Sequence, residues 1–182
     1  MSRPSHHVEP TGALQIARHY IRDLIYGAND GIITTFAVVA GVSGGGLSLQ
    51  VVLIIGAANL LADGLSMAVG NFLSIRAHES VLEAQDLPEE EASPGRHGTA
   101  TFFAFVVAGT MPLVPYMLPA VPFDRFAMSV ALTLLSLFTV GALRASIANV
   151  RWWRAGFEMF GLGAVVAGVA YGSGAIVAAI VA

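Results

Sequence analysis

The chain contains no cysteine and no lysine, and few charges of any kind: charged residues make up only 12% of it. Without cysteine there are no disulfides, no thiolate metal sites and no cysteine nucleophiles. A soluble domain carries roughly 25% charged residues to keep its surface in water. That polar shell is missing, which argues against five core helices buried in a water-soluble fold. A net charge of −3 is too small to suggest a nucleic-acid partner. Residues 1–23 lack an apolar core followed by a small-residue cleavage site, so they read as a retained polar tail rather than a signal peptide.

What the chain has instead is 55% hydrophobic residues gathered in long runs. A membrane helix needs roughly 20 mostly apolar residues to cross about 30 Å of hydrocarbon. Five windows qualify, about 24–43, 51–75, 100–119, 126–143 and 159–182. The expectation is an all-α polytopic membrane protein with five transmembrane helices, its membrane domain covering 24–182, with a short acidic loop at 76–99. Of the nine cations, all arginine, eight fall in the tail, in that loop or between spans four and five; only Arg125 falls on the other side. By the positive-inside rule the N-terminus and both longer loops are cytoplasmic, and an odd number of spans leaves the C-terminus outside. Trp152 and Trp153 suit the cytoplasmic interface. Gly44-Gly45-Gly46 predicts a tight hairpin, and Pro112, Pro115 and Pro119 predict a kinked or unwound outer half of span three.

Two carboxylates lie inside these windows, Asp30 in the first and Asp63 in the second. A charged side chain in hydrocarbon costs a few kcal/mol on insertion scales, so each marks a functional position by default. Helical spacing aligns Asn59, Asp63, Met67 and Asn71 on one stripe of span two, and puts Asp30 one turn before Thr34 on span one. Gly27, Gly31 and Gly64 border these polar faces, and Gly168 and Gly172 make a small-residue face on span five, all suited to close helix packing. Counting rise per residue, Asp30 and Met67 both lie roughly 10 Å inside the cytoplasmic boundary, with Asp63 one turn deeper. Carboxylate oxygen beside thioether sulfur suits iron(II), cobalt, zinc or copper(I) better than magnesium or calcium. A buried carboxylate takes either a cation or a proton, and that competition is the core of an antiporter. Each residue also has a plainer reading: Met67 as packing, Asn59 and Thr34 as interhelical hydrogen-bond partners.

Two stretches carry a family resemblance. Arg22-Asp23-Leu24-Ile25-Tyr26-Gly27-Ala28-Asn29-Asp30-Gly31-Ile32 resembles the first-helix signature of the vacuolar iron transporter family, which includes the nodulin-like iron and manganese transporters. Leu61-Ala62-Asp63-Gly64-Leu65-Ser66-Met67-Ala68-Val69-Gly70-Asn71-Phe72-Leu73-Ser74 is similar to its second-helix signature, and the small-residue tail 161–174 matches its last helix more loosely. The resemblance implies a homodimer of five-helix subunits that exports iron(II) from the cytosol in exchange for protons, with Asp30 and Met67 lining the path. Asn59 and His19 stand where some plant members carry glutamates, and loop 76–99 replaces a long metal-collecting domain. Within that loop Glu79, Glu83 and His78 are the candidates for a reduced cytoplasmic metal-collecting set, beside Glu89, Glu90, Glu91 and His97; a solvated acidic loop is the alternative. His6 and His7 read as a disordered tail or a weak metal site, and Glu158 as a helix-dipole partner at the start of span five.

The expected partners are therefore the bilayer, a divalent metal ion as cargo, protons and a second copy of the chain, with no resident cofactor and no nucleic acid. A bacterial inner (plasma) membrane is the expected host. Two other classes compete: an intramembrane hydrolase using Asp30 and Asp63, and a structural or regulatory membrane subunit whose polar stripe packs a dimer.

Overall fold

The computed structural model describes residues 5, 7, 10–119, 122–148 and 150–181. Arg3 and His6, and Ala182 at the end of the fifth window, lie outside them. Among the described residues seven α-helices follow in order: α1 (Ala13–His19), α2 (Ile21–Gly44), α3 (Leu49–Ala84), α4 (Pro94–Gly109), α5 (Val114–Met117), α6 (Arg125–Ala148) and α7 (Trp152–Val181), with a 3₁₀ turn at Met111–Leu113 between α4 and α5. Five stretches of the described residues are long and apolar enough to cross a membrane, α4 and α5 together making the third. Among the described residues there is no β-strand, only an isolated bridge between Ser5 and Glu89.

α2 is the central helix and packs against α3, α4, α6 and α7, while α3 pairs with α4 and α6 with α7. Lipid is as apolar as leucine, so cohesion must come from close packing rather than from leaving water. Glycine provides it along α2. A Cβ on Gly27 would stand 2.5 Å from the Thr101 carbonyl oxygen, and one on Gly31 2.3 Å from that of Phe105, so α2 and α4 touch backbone to backbone. Gly64 meets the rings of Phe105 and Phe102. The core between these helices includes Phe36, Val39, Val52, Leu60, Phe105 and Leu113. Outward-facing Leu61, Leu65 and Leu73 on α3 and Val165, Val169 and Ile176 on α7 remain exposed, as lipid-facing positions require. The small-residue face expected at Gly168 and Gly172 is not used among the described residues: a Cβ added at either would meet nothing within 4 Å. α7 packs instead through Gly174, whose Cβ would meet the Gly41 carbonyl at 2.1 Å, and Gly163 against Leu137. These two are a different set of α7 positions, turned toward α2 and α6.

Helix ends have local causes. α2 closes in a Schellman motif: Leu47 N–H bonds the Val42 carbonyl at 3.1 Å, Gly46 N–H bonds that of Ser43 at 3.0 Å, and Gly46 takes φ +68°. α3 outruns the apolar window that ends at residue 75, because the good helix formers of 76–84 carry it on. It stops in a second Schellman motif with Asp86 at φ 55°, and Pro88 follows. Its 36 residues span about 54 Å, so α3 projects well beyond a bilayer core. The expected loop 76–99 is thereby reduced to residues 85–93. The third span breaks where its prolines predict, into a 3₁₀ turn and a short helix, and α6 supplies donors to carbonyls of the broken stretch. Ser129 Oγ bonds the Pro112 carbonyl at 2.6 Å and Arg125 Nε that of Pro115 at 3.2 Å. Asp124 caps α6 by accepting the Ala127 amide at 2.7 Å.

Candidate functional site

Asp30 and Asp63 are both half-buried and lie within electrostatic range of each other, two carboxylates from facing helices. The Thr34 hydroxyl donates to the Asp30 main-chain carbonyl at 2.8 Å, so it serves the helix backbone. Met67, half-buried, packs against the cluster that contains Phe36 and Phe105. The Asn59 amide nitrogen is buried with no hydrogen-bond partner. Asn71, the fourth member of the stripe, faces different company at the α1 end of the bundle.

There a second polar constellation forms, drawn from six segments. Asp23 opens α2 and is only 2% exposed. Its Oδ1 accepts the Asn71 amide of α3 at 2.8 Å, and its Oδ2 lies within hydrogen-bond distance of His97 Nδ1 on α4. Asn71 also donates to Thr101 Oγ1 at 2.8 Å, and Thr101 in turn donates to the His97 carbonyl at 2.9 Å. The other face of the His97 ring is turned to Glu91 in the α3–α4 connection, with Nε2 2.8 Å from Oε2. His19, in the last turn of α1, brings Nε2 to 3.2 Å from the same oxygen, and His7 brings Nδ1 to 3.3 Å from Oε1. The ring centroids of His19 and His97 are 5.0 Å apart, and Tyr20 packs 4.7 Å from each. Among the described residues, His7, His19 and Glu91 form the one group of three whose ligand atoms all lie within 4.8 Å of one another.

Electrostatics favour an ionised Glu91. Burial pushes its carboxyl up, but the Ser93 amide and the His97 and His7 rings outweigh that, and the net shift is downward from the ordinary carboxylate range. A cleft of about 630 Å³ reaches this constellation, lined by His19, His78, Glu90, Glu91 and His97 and by arginines of α1 and α2.

The metal-collecting candidates of the connection take separate places. Glu79 accepts the amides of Glu90 and Glu91 at 3.1 and 2.7 Å, which fixes the connection against α3. His78 pairs with Glu90 at 3.2 Å, and Glu83 is exposed. Glu158, assigned from the sequence to the helix dipole, pairs with Arg144 at 3.0 Å. The constellation itself went unassembled in the sequence reading: Asp23 stood only as a motif letter, His7 in a tail, and His97 as one member of an acidic loop. One signal pointed to it, a histidine at position 19 where relatives were expected to carry a carboxylate.

Comparison with known proteins then adds an independent line. The family model described as the VIT family matches residues 21–92 and 82–175, the two matches meeting over the α3–α4 connection. A vacuolar iron transporter of Toxoplasma gondii is 44% identical over 71 residues, which cover 39% of this chain and 24% of that protein. Vacuolar iron transporter 1 of Arabidopsis thaliana is 26% identical over an alignment of 212 positions covering 85% of each chain. Vacuolar iron transporter homolog 2.1 of the same plant is 32% identical over 133 residues, 62% of this chain and 60% of its own. The alignment of 212 positions exceeds the 182 residues of this chain, so it contains sequence for which this chain has no counterpart.

Proposed function

Because this chain belongs to the VIT family, we propose that it is a metal transporter that exports a divalent ion, iron(II) first among them, from the cytosol in exchange for protons. The observation that carries the proposal is the pair Asp30 and Asp63, held within electrostatic range on two helices of membrane-spanning length. Two carboxylates so placed in a medium of low dielectric repel each other. A divalent cation removes that repulsion, and so do protons, so the two loads compete for one pair of side chains. Met67 adds a thioether on the same stripe as Asp63, and sulfur tilts selectivity toward iron(II) and its neighbours rather than magnesium. In this reading Asp30, Asp63, Met67, Asn59 and Thr34 line the path. Manganese is the second cargo to be expected.

The polypeptide would lie with its α1 end and the α3–α4 connection in the cytosol, as the arginine distribution requires, and with the C-terminus outside. A homodimer completes the picture. The half-exposed polar stripe of α3 and the unpartnered Asn59 amide are unsuited to lipid, and a second copy laid against them would remove both from it. Residues 1–23 and 24–182 then act as a cytoplasmic tail and a membrane domain, in the inner (plasma) membrane of a bacterium.

Purified protein in liposomes, offered a panel of divalent metals, provides the test. Iron(II) should enter, magnesium should not, and Asp30→Asn and Met67→Ala should both reduce the flux. Peptide or lipid cleavage lost in Asp30→Asn would instead favour the hydrolase. No flux of any metal, with unchanged growth of Asp30→Asn and Met67→Ala cells under iron excess, would favour the structural subunit.

A further inference from the structure

A cavity of about 590 Å³ opens between α2, α6 and α7, apart from the Asp30–Asp63 pair. Its charged lining residues stand at the edges of the apolar windows of the sequence: Arg22 just before the first, Arg144 directly after the fourth and Glu158 directly before the fifth. Its apolar lining, Ile25, Met159 and Leu162, belongs to the windows themselves. The cavity therefore straddles the membrane boundary, with charge at headgroup level and hydrocarbon below it. The charge around it is mainly positive. Residues 126–182 hold three arginines, Arg144, Arg151 and Arg154, and a single acid, Glu158. Arg144 gives one N–H to Glu158 at 3.0 Å, and a guanidinium carries five. Glu158 is 62% exposed, so that pairing is a weak surface bond. The Arg22 side chain is 75% exposed, and the Asp23 carboxylate 3.9 Å from it is already engaged by Asn71 and His97. A second groove of about 250 Å³, between α2, α4 and α6, shares Ile25 with the first and is walled by Leu143, the neighbour of Arg144.

We infer that this cavity holds one anionic phospholipid, with its phosphate facing Arg22 and Arg144, one acyl chain along Ile25, Met159 and Leu162, and the other in the adjoining groove. Guanidinium forks match phosphate oxygens in geometry as well as charge. Basic pockets between membrane helices are suited to acidic headgroups, and the cytoplasmic leaflet supplies them. A zwitterionic lipid brings its own cation, which the arginines repel. Free phosphate gains nothing from the apolar floor. Glu158 opposes the headgroup and limits its affinity. Trp152 and Trp153, at the start of α7, stand at the same level, where indole rings anchor a helix to the interface. The lipid would thus tie the cytoplasmic ends of α2, α6 and α7 together. It rests on the membrane-spanning fold alone and holds whether or not Asp30 and Asp63 carry metal.

Native mass spectrometry of the full chain in detergent, titrated with dioleoyl phosphatidylglycerol or dioleoyl phosphatidylcholine, counts the lipids bound. We expect one phosphatidylglycerol per chain, held about 10-fold more tightly than phosphatidylcholine, on a scale of about fivefold for each basic side chain. Arg22→Gln combined with Arg144→Gln should bring that preference below about twofold, whereas Glu158→Gln should raise it about fivefold. All three side chains are partly or well exposed, so these variants should keep the helical content and Tm of the wild type. Excess inorganic phosphate should leave the lipid bound, and Asp30→Asn should keep the preference, which separates this inference from the transport reading. Equal retention of the two lipids by wild-type protein overturns the inference. So does a preference unchanged in the double arginine variant, or displacement of phosphatidylglycerol by inorganic phosphate. An equal loss in Arg76→Gln, an exposed arginine of α3 outside the cavity, would reduce the effect to overall charge and overturn it as well.

Discussion

Asp23 and Asp30 stand two turns apart on one helix and live in opposite surroundings. Asp23 is 2% exposed and engaged on both oxygens, by Asn71 and by His97. Asp30 is half-buried and within electrostatic range of another carboxylate, Asp63 of α3. A fully satisfied buried acid rigidifies its surroundings and specifies one arrangement. An acid left beside a like charge has unused capacity, and a passing cation or proton can fill it. The difference teaches that burial of a carboxylate does not by itself identify a working residue; what distinguishes the two is whether the chain already supplies their partners.

The comparison breaks most visibly at Asp30. A unit charge about 4 Å from a cation at an effective dielectric of 20 contributes about 4 kcal/mol. Asp30→Asn should therefore cut metal flux on the order of 100- to 1000-fold, while its thermal unfolding in detergent stays close to wild type. Undiminished flux would make Asp30 another packing residue. Asp23→Ala should do the reverse to stability: removing one partner of a buried pair strands the other, at a cost of about 3–5 kcal/mol, measured as a fall in Tm.

Glycines sharpen the same contrast. Gly31→Ala drives a methyl into the Phe105 carbonyl and should destabilise the α2–α4 contact by about 1–3 kcal/mol. Gly172→Ala meets nothing within the chain and should leave the monomer unchanged. Dissociation of a dimer in the Gly172→Ala protein, followed by cross-linking, would place that face between two copies. The smallest effects separate two asparagines of one stripe. Asn71→Ala removes a donor from buried Asp23 and should cost about 1–3 kcal/mol. Asn59→Ala removes an amide whose nitrogen makes no bond, and should stay within about 0.6 kcal/mol.

The five spans and the polar stripe were legible in the sequence for one reason: hydrocarbon tolerates so little polarity that Asp30 and Asp63 stand out at helical spacing. The broken third span was legible too, because proline has no amide to donate. The length of α3 was not, since hydropathy fades at Ile75 while helix propensity persists to Ala84. The histidine constellation was hidden for the opposite reason to Asp30. His7, His19, Glu91 and His97 lie in polar segments, where another polar letter carries no surprise, and only the fold of α1 and the connection against α4 brings them together. Gly168 and Gly172 show the limit of a spacing rule: it finds a smooth face but not which neighbour uses it.

The most direct measurement is proton counterflow. Liposomes holding the protein and a trapped pH dye, given iron(II) outside, should lose luminal protons as iron enters, and Asp63→Asn should stop both together. Iron entry with no change in luminal pH, or unaltered counterflow in Asp63→Asn, would contradict the claim that facing carboxylates exchange metal for protons.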